Sequence, residues 1–446
     1  YNMYPIHFEI LGKGTYGYAI KPPLNLENIN KEDDKETFIE YINKEPNDIG
    51  KIFIIDNGEE DYIYREELKE LKIIKEIDKN NIFTVPLKGA IKGYINDENY
   101  DKTMLNKLYK SIKHEKKHTN IYQIIQGNGG YELKDSVFEK YKENPITYIK
   151  FLNIFDNFLS GMLLLQKANK IHRDIKPSNV LFNGEKINLI DFGLTIDSKN
   201  LYSYSKDNTY IMKHIYIFFP PEYYICGYLY GNIYLKIKDD IEKDNNFFKD
   251  DITYDDVYKK FIDIKCKDSQ FIIDSLEKFK INSNDILNKN YIEFITNFNN
   301  GSNEDFINIY KENFYIEINK FVNNMINTIK DPKNSEKKIN DIYYNKIYNK
   351  KTIEKFDVYS LAFIILPFYK YLYGLKGKDE LSIRQKTFLS NIFNNCATSN
   401  PYHRISIKNL KKLINIEIKN ESIQILNIKN LHVCKTTKSF NSCCCQ

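Results

Sequence analysis

The 446-residue chain has no tryptophan, and no apolar run near the ~18 residues that a helix needs to cross a bilayer. It does not open with the apolar stretch of a secretory signal either, so an intracellular, cytoplasmic location is expected. Tyr1 is not an initiator Met, which leaves room for an upstream segment. Cysteine is sparse: Cys226, Cys266 and Cys396 are isolated, Cys434 stands near the end, and Cys443 to Cys445 are consecutive. Seven residues in that pattern fit neither a disulfide framework nor a metal-ligand spacing, and reduced thiols are expected. Net charge is low as well. The 65 basic and 60 acidic residues leave +5 and alternate along the chain, which argues against a nucleic-acid groove. Ile, Asn, Lys and Tyr are abundant, as an AT-rich genome produces, and 42% hydrophobic residues are enough for a packed core.

Against this background one run carries chemistry. His172-Arg173-Asp174-Ile175-Lys176-Pro177-Ser178-Asn179 is followed, twelve residues after the Asn, by Asp191-Phe192-Gly193. A carboxylate to receive a hydroxyl proton, an amide and a second carboxylate to hold a divalent cation, and a Lys to reach a transferred phosphate are what phosphoryl transfer requires.

In these residues the chain resembles the eukaryotic-type protein kinases. The resemblance implies an α+β, bilobal fold with a β-rich N-lobe and an α-helical C-lobe, ATP with Mg²⁺ or Mn²⁺ as cofactors, and protein substrates. It implies that Asp174 orients the hydroxyl, that Lys176 neutralises charge on the γ-phosphate, and that Asn179 and Asp191 ligate the metal. His172 would be a packing residue. Arg173 would mark a cationic pocket for a phosphate on the activation segment, with Ser203, Tyr204, Ser205, Thr209 and Tyr210 as candidate acceptors.

Upstream, Ile6 to Leu11 reads as a strand running into Gly12-Lys13-Gly14-Thr15-Tyr16-Gly17. A lone G-x-G-x-x-G would also suit a dinucleotide fold, but that needs a helix straight after the glycines. Here Tyr18-Ala19-Ile20-Lys21 reads as a second strand and Pro22-Pro23 would stop a helix, which favours a loop over nucleotide phosphates. Lys21 imitates the nucleotide-binding Lys but lies too close to Gly17. The preferred candidate is Lys51, on Ile49 to Ile55, reached after a polar insert over about 22–48.

A helical pattern from Glu60 to Ile77 follows, and by resemblance one of its carboxylates pairs with Lys51. Glu70 is favoured, on a face with Ile73, Ile74 and Ile77, while Glu66 and Glu67 lie one turn earlier. A second polar insert spans about 93–120. The strand Ile121 to Ile125 then leads to Gln126-Gly127-Asn128-Gly129-Gly130, which resembles the interlobe hinge. Ile125 is expected at the back of the adenine pocket and Gly127 in its backbone contacts. An apolar helix from about Ile146 to Ala168 would support the catalytic loop.

Pro220-Pro221-Glu222 resembles the end of the activation segment, with Glu222 expected to pair with Arg404. Asp357, in Asp357-Val358-Tyr359-Ser360-Leu361-Ala362, resembles the helix start that braces the catalytic loop. Two departures from the family stand out. Glu222 and Asp357 lie 135 positions apart, where the family has a short connection. Ile307, Tyr310, Phe314, Ile318, Phe321, Met325 and Ile329 mark one helix face within that gap, with Ser302 and Asp305 as a cap and Pro332 as a stop. Further helical patterns lie at Tyr254 to Ile264 and Phe271 to Phe279, so an α-helical insert packed on the large lobe is expected. The second departure is at His214 to Phe219, which lacks the Thr that Ser/Thr kinases usually place before this element. Lys176-Pro177 still resembles Ser/Thr rather than Tyr kinases.

The expected organisation is an N-lobe with hinge over 1–130, a C-lobe segment over 131–222, the insertion over 223–350, the rest of the C-lobe over 351–430, and a Cys-rich tail over 431–446. The Gly50-Lys51 strand, the Gly-Gly hinge, the Pro220-Pro221-Glu222 element and the AT-rich bias resemble divergent kinases of large DNA viruses, for which host cytoplasm or virion would be the location; an AT-rich protist is the competing source. The terminal Cys443-Cys444-Cys445-Gln446 meets a prenylation signal only loosely, so membrane contact is expected only if those cysteines are lipidated. Two rivals remain: a pseudokinase scaffold binding partners through its insertion, and a small-molecule kinase of the same fold.

Overall fold

The computed structural model describes residues 7–13, 17–24, 26–28, 47–54, 60–95, 100–111, 121–198, 218, 220–222, 263–280, 304–339, 341–342 and 349–440. Gly14, the candidate phosphoacceptors, His214 to Ile217, the helical pattern from Tyr254 up to residue 262, and the Cys443 to Cys445 tail lie outside the described residues. The chain forms two compact units. The first comprises residues 1–132, 160–168 and 179–195, the second 133–159, 169–178 and 196–446.

The first unit is built on a six-stranded antiparallel sheet. Its strands are β1 (Glu9–Lys13), β2 (Tyr18–Lys21), β3 (Leu26–Asn28), β4 (Ile49–Ile54), β5 (Leu87–Ile95) and β6 (Ile121–Gln126), in the order β1-β2-β4-β6-β5-β3. Alternation gives the sheet two distinct faces. One carries Ile20, Ile52 and Ile121, which join Phe8, Leu26 and Ile95 in a core covered by Leu105 and Leu108 of α2 (Lys102–Ser111). The other is covered by α1 (Glu60–Ile77), whose Tyr64 packs edge-on against Phe53 (5.6 Å) and tilted against Tyr122 (4.5 Å).

Neither polar insert is wholly irregular. The first contributes β3, which pairs with the far end of β5, and the second holds that end of β5 together with α2. Amphipathic spacing within α2 was masked in the sequence by its three lysines and Asn106. The first unit closes with β7 (Tyr131–Glu132), which pairs with β8 (Val180–Phe182), itself paired with β9 (Ile187–Leu189).

The second unit is helical. The apolar helix α3, whose residues 148–159 belong to this unit, starts two residues later than expected, at Tyr148, and runs to Lys167, because Thr147 Oγ1 accepts the Lys150 N–H and ends the approach segment. Phe151 and Phe155 of α3 are fully buried, and Phe151 packs on Phe368 (5.0 Å). That ring belongs to α5 (Phe356–Gly374; α4 lies earlier in the chain), of which residues 356–369 are buried throughout. Helix α6 (Ile383–Cys396) opens with a capping box of Ser382 and Gln385. The long α7 (Ile407–Phe440) is tied back by Lys411 to Asp156 (2.6 Å) and by Glu417 to the Tyr148 hydroxyl (2.9 Å).

The described part of the insertion is helical, as expected. Helix α4 (Glu304–Lys330) buries Ile318, Phe321, Val322, Met325, Ile326 and Ile329, and it stops at Asp331, whose carboxylate accepts the Lys333 N–H beyond Pro332. A shorter helix over 270–280 buries Ile272, Ile273, Leu276 and Phe279, and Lys280 at its end reaches Asn323 of α4 (2.8 Å). Insert and large lobe meet where the Phe321 ring approaches Tyr402 (6.4 Å) and Glu317 binds His403 (2.5 Å). No helix among the described residues is long and apolar enough to cross a membrane.

Candidate active site

In the first unit the site is organised around Lys51. Strand β4 presents its side chain on the face shared with α1, where Nζ lies 2.5 Å from Glu67 Oε1 and 3.1 Å from Asp191 Oδ1. Burial works against the ammonium, but the two carboxylates outweigh it and hold Lys51 above its usual range. Glu67 is pushed up from the usual Glu range by its burial, against the pull of Lys51 and with the Asp191 charge adding to the rise.

The partner of Lys51 is therefore Glu67, and the expectation of Glu70 is corrected. The reason is helix phase. Tyr64, Glu67, Leu68, Leu71 and Ile74 form the buried stripe of α1, spaced at three and four residues, and Glu67 is 4% exposed. Glu70 and Ile73 are only partly buried, beside that stripe. Glu66, the third candidate, pairs with Lys69 (3.3 Å).

Register also corrects Ile125. Residues directly opposed across an antiparallel pair project from the same face. Lys51 opposes Ile124 on β6, whereas Ile125 opposes Gly50 and so shares the α2-covered face with Ile20 and Ile52. Ile124 is the β6 residue on the Lys51 face. Gly50 is required by packing: a Cβ there would come within 2.5 Å of Gln123 Oε1, which is committed to the Leu24 N–H (2.8 Å).

Of the phosphate-loop glycines, Gly12 lies in β1 and Gly17 leads into β2. A Cβ at Gly17 would stand 2.3 Å from the Ile52 carbonyl oxygen, so only glycine lets the loop return this close to β4. The hinge stretch is pinned. The Gly127 N–H bonds the Pro86 carbonyl (2.9 Å), Asn188 Nδ2 donates to the Gly129 carbonyl (2.9 Å), and Asn128 Oδ1 accepts the Gly130 N–H (2.9 Å).

Asp191 adopts the left-handed conformation (φ 63°, ψ 69°), and the Phe192–Leu194 turn after it packs against α1 with Phe192 1% exposed. The Ile190 N–H bonds the Asn179 carbonyl (3.0 Å), which brings the backbones at Asn179 and Asp191 together. Their amide and carboxylate oxygens are hard donors of the kind that suit Mg²⁺ with phosphate and water. No cluster of three or more His, Cys, Asp or Glu suited to a metal occurs among the described residues.

The second unit holds the catalytic loop. Asp357, which is buried, accepts the backbone N–H groups of His172 (2.8 Å) and Arg173 (3.1 Å). Burial pushes its carboxyl up, and those two bonds oppose the shift. Arg173 is left-handed (φ 64°), and the Asp174 N–H bonds His172 Nδ1 (3.2 Å), so His172 packs and braces as expected. Lys176 Nζ donates to Asp174 Oδ2 (2.9 Å).

The same unit fixes the end of the activation segment. Arg404, 1% exposed, grips both oxygens of Glu222 (2.6 and 2.8 Å) and lies over the Tyr359 ring (5.2 Å). Sequence reasoning missed Ser360, whose hydroxyl donates to the Phe218 carbonyl (2.7 Å); its place one turn after Asp357 was the available signal.

Residues 52–224 match the family model for the protein tyrosine and serine/threonine kinase domain. Over 205 residues the chain is 27% identical to mitogen-activated protein kinase 6 of Oryza sativa subsp. japonica. Over 207 residues it is 29% identical to mitogen-activated protein kinase 4 of Arabidopsis thaliana. Each match covers 44% of this chain and 43% of the relative, so less than half the length of these relatives is represented. Residues 52–224 thus carry a protein kinase domain of the eukaryotic type, and the Lys51–Glu67 pair and the braced Asp174 loop agree with that match.

Proposed function

We propose that the protein is an ATP-dependent kinase that phosphorylates Ser and Thr hydroxyls of protein substrates. The observation that carries this reading is Lys51 held between Glu67 and Asp191, because a scaffold without catalysis has no need of a half-buried ammonium shared by two carboxylates. Lys51, fixed by Glu67, orients the α/β-phosphates, with Gly12, Gly14 and Gly17 over them. Asp191 and Asn179 hold Mg²⁺, which when bound neutralises charge on the phosphates. Asp174 accepts the hydroxyl proton, and Lys176 steadies the charge that develops on the transferred group. Lys176-Pro177, together with two relatives named as mitogen-activated protein kinases, favours Ser/Thr over Tyr.

The test is transfer from [γ-³²P]ATP to a generic basic protein, followed by phosphoamino-acid analysis. Label on Ser or Thr that is lost in Asp174→Asn supports the proposal. Label confined to Tyr overturns the specificity. Failure of the folded wild type to transfer label with either Mg²⁺ or Mn²⁺ overturns the enzyme reading in favour of a scaffold.

A further inference from the structure

The charges of α6 and α7 are not arranged like those of the rest of the chain. Basic and acidic residues alternate over most of the sequence, yet α6 has Arg384 and Lys386 with no carboxylate, and α7 has seven lysines against Glu417 and Glu421 alone. Both glutamates are turned inward and buried. Arg384 reaches across to the two of them, the Tyr148 hydroxyl donates to Glu417 (2.9 Å), and Gln385 Nε2 donates to Glu421 (2.9 Å). The outward side of the two helices is therefore positive, with no carboxylate of their own to offset it. The same sign continues along α7, where no Asp or Glu follows Glu421 as far as Phe440.

That side also exposes aliphatic groups. Of the eight large hydrophobic side chains exposed among the described residues, four lie here: Ile383 at the start of α6, and Leu413, Ile416 and Ile423 on α7. Ile383 is 84% exposed and precedes Arg384, which binds α7 at Glu417 and Glu421, so the four belong to one region. Lys412, Ile416, Lys419 and Ile423 are spaced by four, three and four residues, which makes them one helix face on which lysine and isoleucine alternate. All four are exposed, while Leu410, Ile414, Glu417 and Glu421 form the buried side. Single exposed aliphatics are ordinary, but a row of them interleaved with unopposed lysines is the composition of a helix that lies at a membrane surface.

We propose that this face of α6 and α7 binds an anionic lipid surface. Ile416, Ile423 and Ile383 enter the boundary between headgroups and acyl chains, and Lys412 and Lys419 meet the acidic headgroups. Single-stranded nucleic acid would also attract the lysines, but its bases stack on aromatic rings, and this face offers aliphatic ones. No helix among the described residues can span the bilayer, so the contact is peripheral, and it needs no lipid on the terminal cysteines. The inference is independent of the kinase reading.

The test is vesicle flotation of the full chain, made in bacteria so that Cys443 to Cys445 carry no prenyl group. Vesicles of phosphatidylcholine alone are compared with vesicles that also hold about 30 mol % phosphatidylserine. Expected is binding to the second kind only, weakening as salt rises. Lys412→Gln with Lys419→Gln should weaken it about 30-fold, and Ile416→Asn with Ile423→Asn about tenfold. Lys412→Arg with Lys419→Arg keeps the charge and should bind as the wild type does. Because all four positions are exposed, every variant should melt near the wild-type temperature. Equal flotation with both kinds of vesicle, flotation with neither, unchanged binding in the Gln and Asn pairs, or loss of binding in the Arg pair would each overturn the inference. A labelled uridine oligonucleotide that binds the wild type, and loses binding in the Gln pair while the vesicles never bind, would assign the face to nucleic acid instead.

Discussion

Replacing Glu67 by Gln tests the assignment of the Lys51 partner. Coulomb attraction falls inversely with distance, so Glu67 at 2.5 Å supplies roughly 55% of the pull on Nζ and Asp191 at 3.1 Å the remainder. With Glu67 neutral the balance breaks, and the ammonium is drawn toward Asp191, the residue also expected to hold metal. Lys51 is partly shielded, with 23% of its side chain exposed, so water only partly replaces the lost carboxylate. A shift of ~1 Å in a positioning group costs on the order of 100-fold in rate, or about 2.7 kcal/mol of transition-state stabilisation. The expected result is a kcat/KM for ATP about 100-fold below wild type for Glu67→Gln. For the partly exposed Glu70→Gln the loss is about twofold or less. Thermal melts of both variants separate lost chemistry from lost fold. A loss in Glu70→Gln equal to that in Glu67→Gln, or an unimpaired Glu67→Gln, refutes the helix-phase argument.

The remaining predictions concern stability. Arg404→Ala strands the carboxylate of Glu222, 3% exposed, and should lower stability by about 3–5 kcal/mol in urea unfolding; Glu222→Gln combined with Arg404→Ala should recover part of that loss, and no recovery would contradict the pairing. Gly50→Ala drives a Cβ against Gln123 and should cost about 1–3 kcal/mol, whereas Gly374→Ala, with open space around it, should cost far less; equal melting shifts would refute the packing account. Burial raises the Glu317 carboxyl, but its bonds from Lys320 and His403 more than offset this and hold it below the usual Glu range. A depressed carboxyl adds stability above the unfolded value, near ~4.3, that is lost as pH falls through the folded value. Glu317→Gln should therefore lower stability at pH 7 by no more than about 1 kcal/mol given the exposure of His403, and the gap should close below about pH 4. A gap that persists in acid would contradict the linkage.

Local patterns carried the reading of α1, which spans Glu60–Ile77 as expected, and of the β4 strand bearing Lys51. Two long-range pairings were legible too, Glu222 with Arg404 and Asp357 with the catalytic loop, because each rests on a motif with a fixed partner. The errors share one cause. Glu67 and Glu70 differ by a 60° rotation about the helix axis, and Ile124 and Ile125 by one step of the pleat. Composition cannot resolve either, since both alternatives place the same residue type one position or one turn away. Only the cross-strand register of Lys51 with Ile124, and the choice of Tyr64 as the ring that packs on Phe53, settle the face. The helix α2 was missed for a different reason: two buried leucines, Leu105 and Leu108, are enough to seat it on the sheet, and the other positions from 102 to 110 are exposed or half-buried.

Among the described residues, carboxylates met by rigid donors and carboxylates met by lysine ammoniums differ in what their partners can do. Asp78 takes the N–H groups of Ile82, Phe83 and Thr84 and the Thr84 hydroxyl. Asp357 takes two backbone N–H groups, and Glu222 both prongs of a guanidinium. In each case the partners are rigid backbone donors or a fixed planar fork, so the charge is locked to one geometry and braces a loop. Glu67, Asp191 and Asp174 are instead met by the ammonium groups of Lys51 and Lys176, compact charges on flexible stems. An ammonium can rotate its three donors from a carboxylate to a phosphate without leaving either charge uncompensated, which a backbone N–H cannot do. On the proposed function, Glu67, Asp191 and Asp174 exchange their lysine partners as a substrate arrives, and the backbone-matched carboxylates hold the frame in which that exchange takes place.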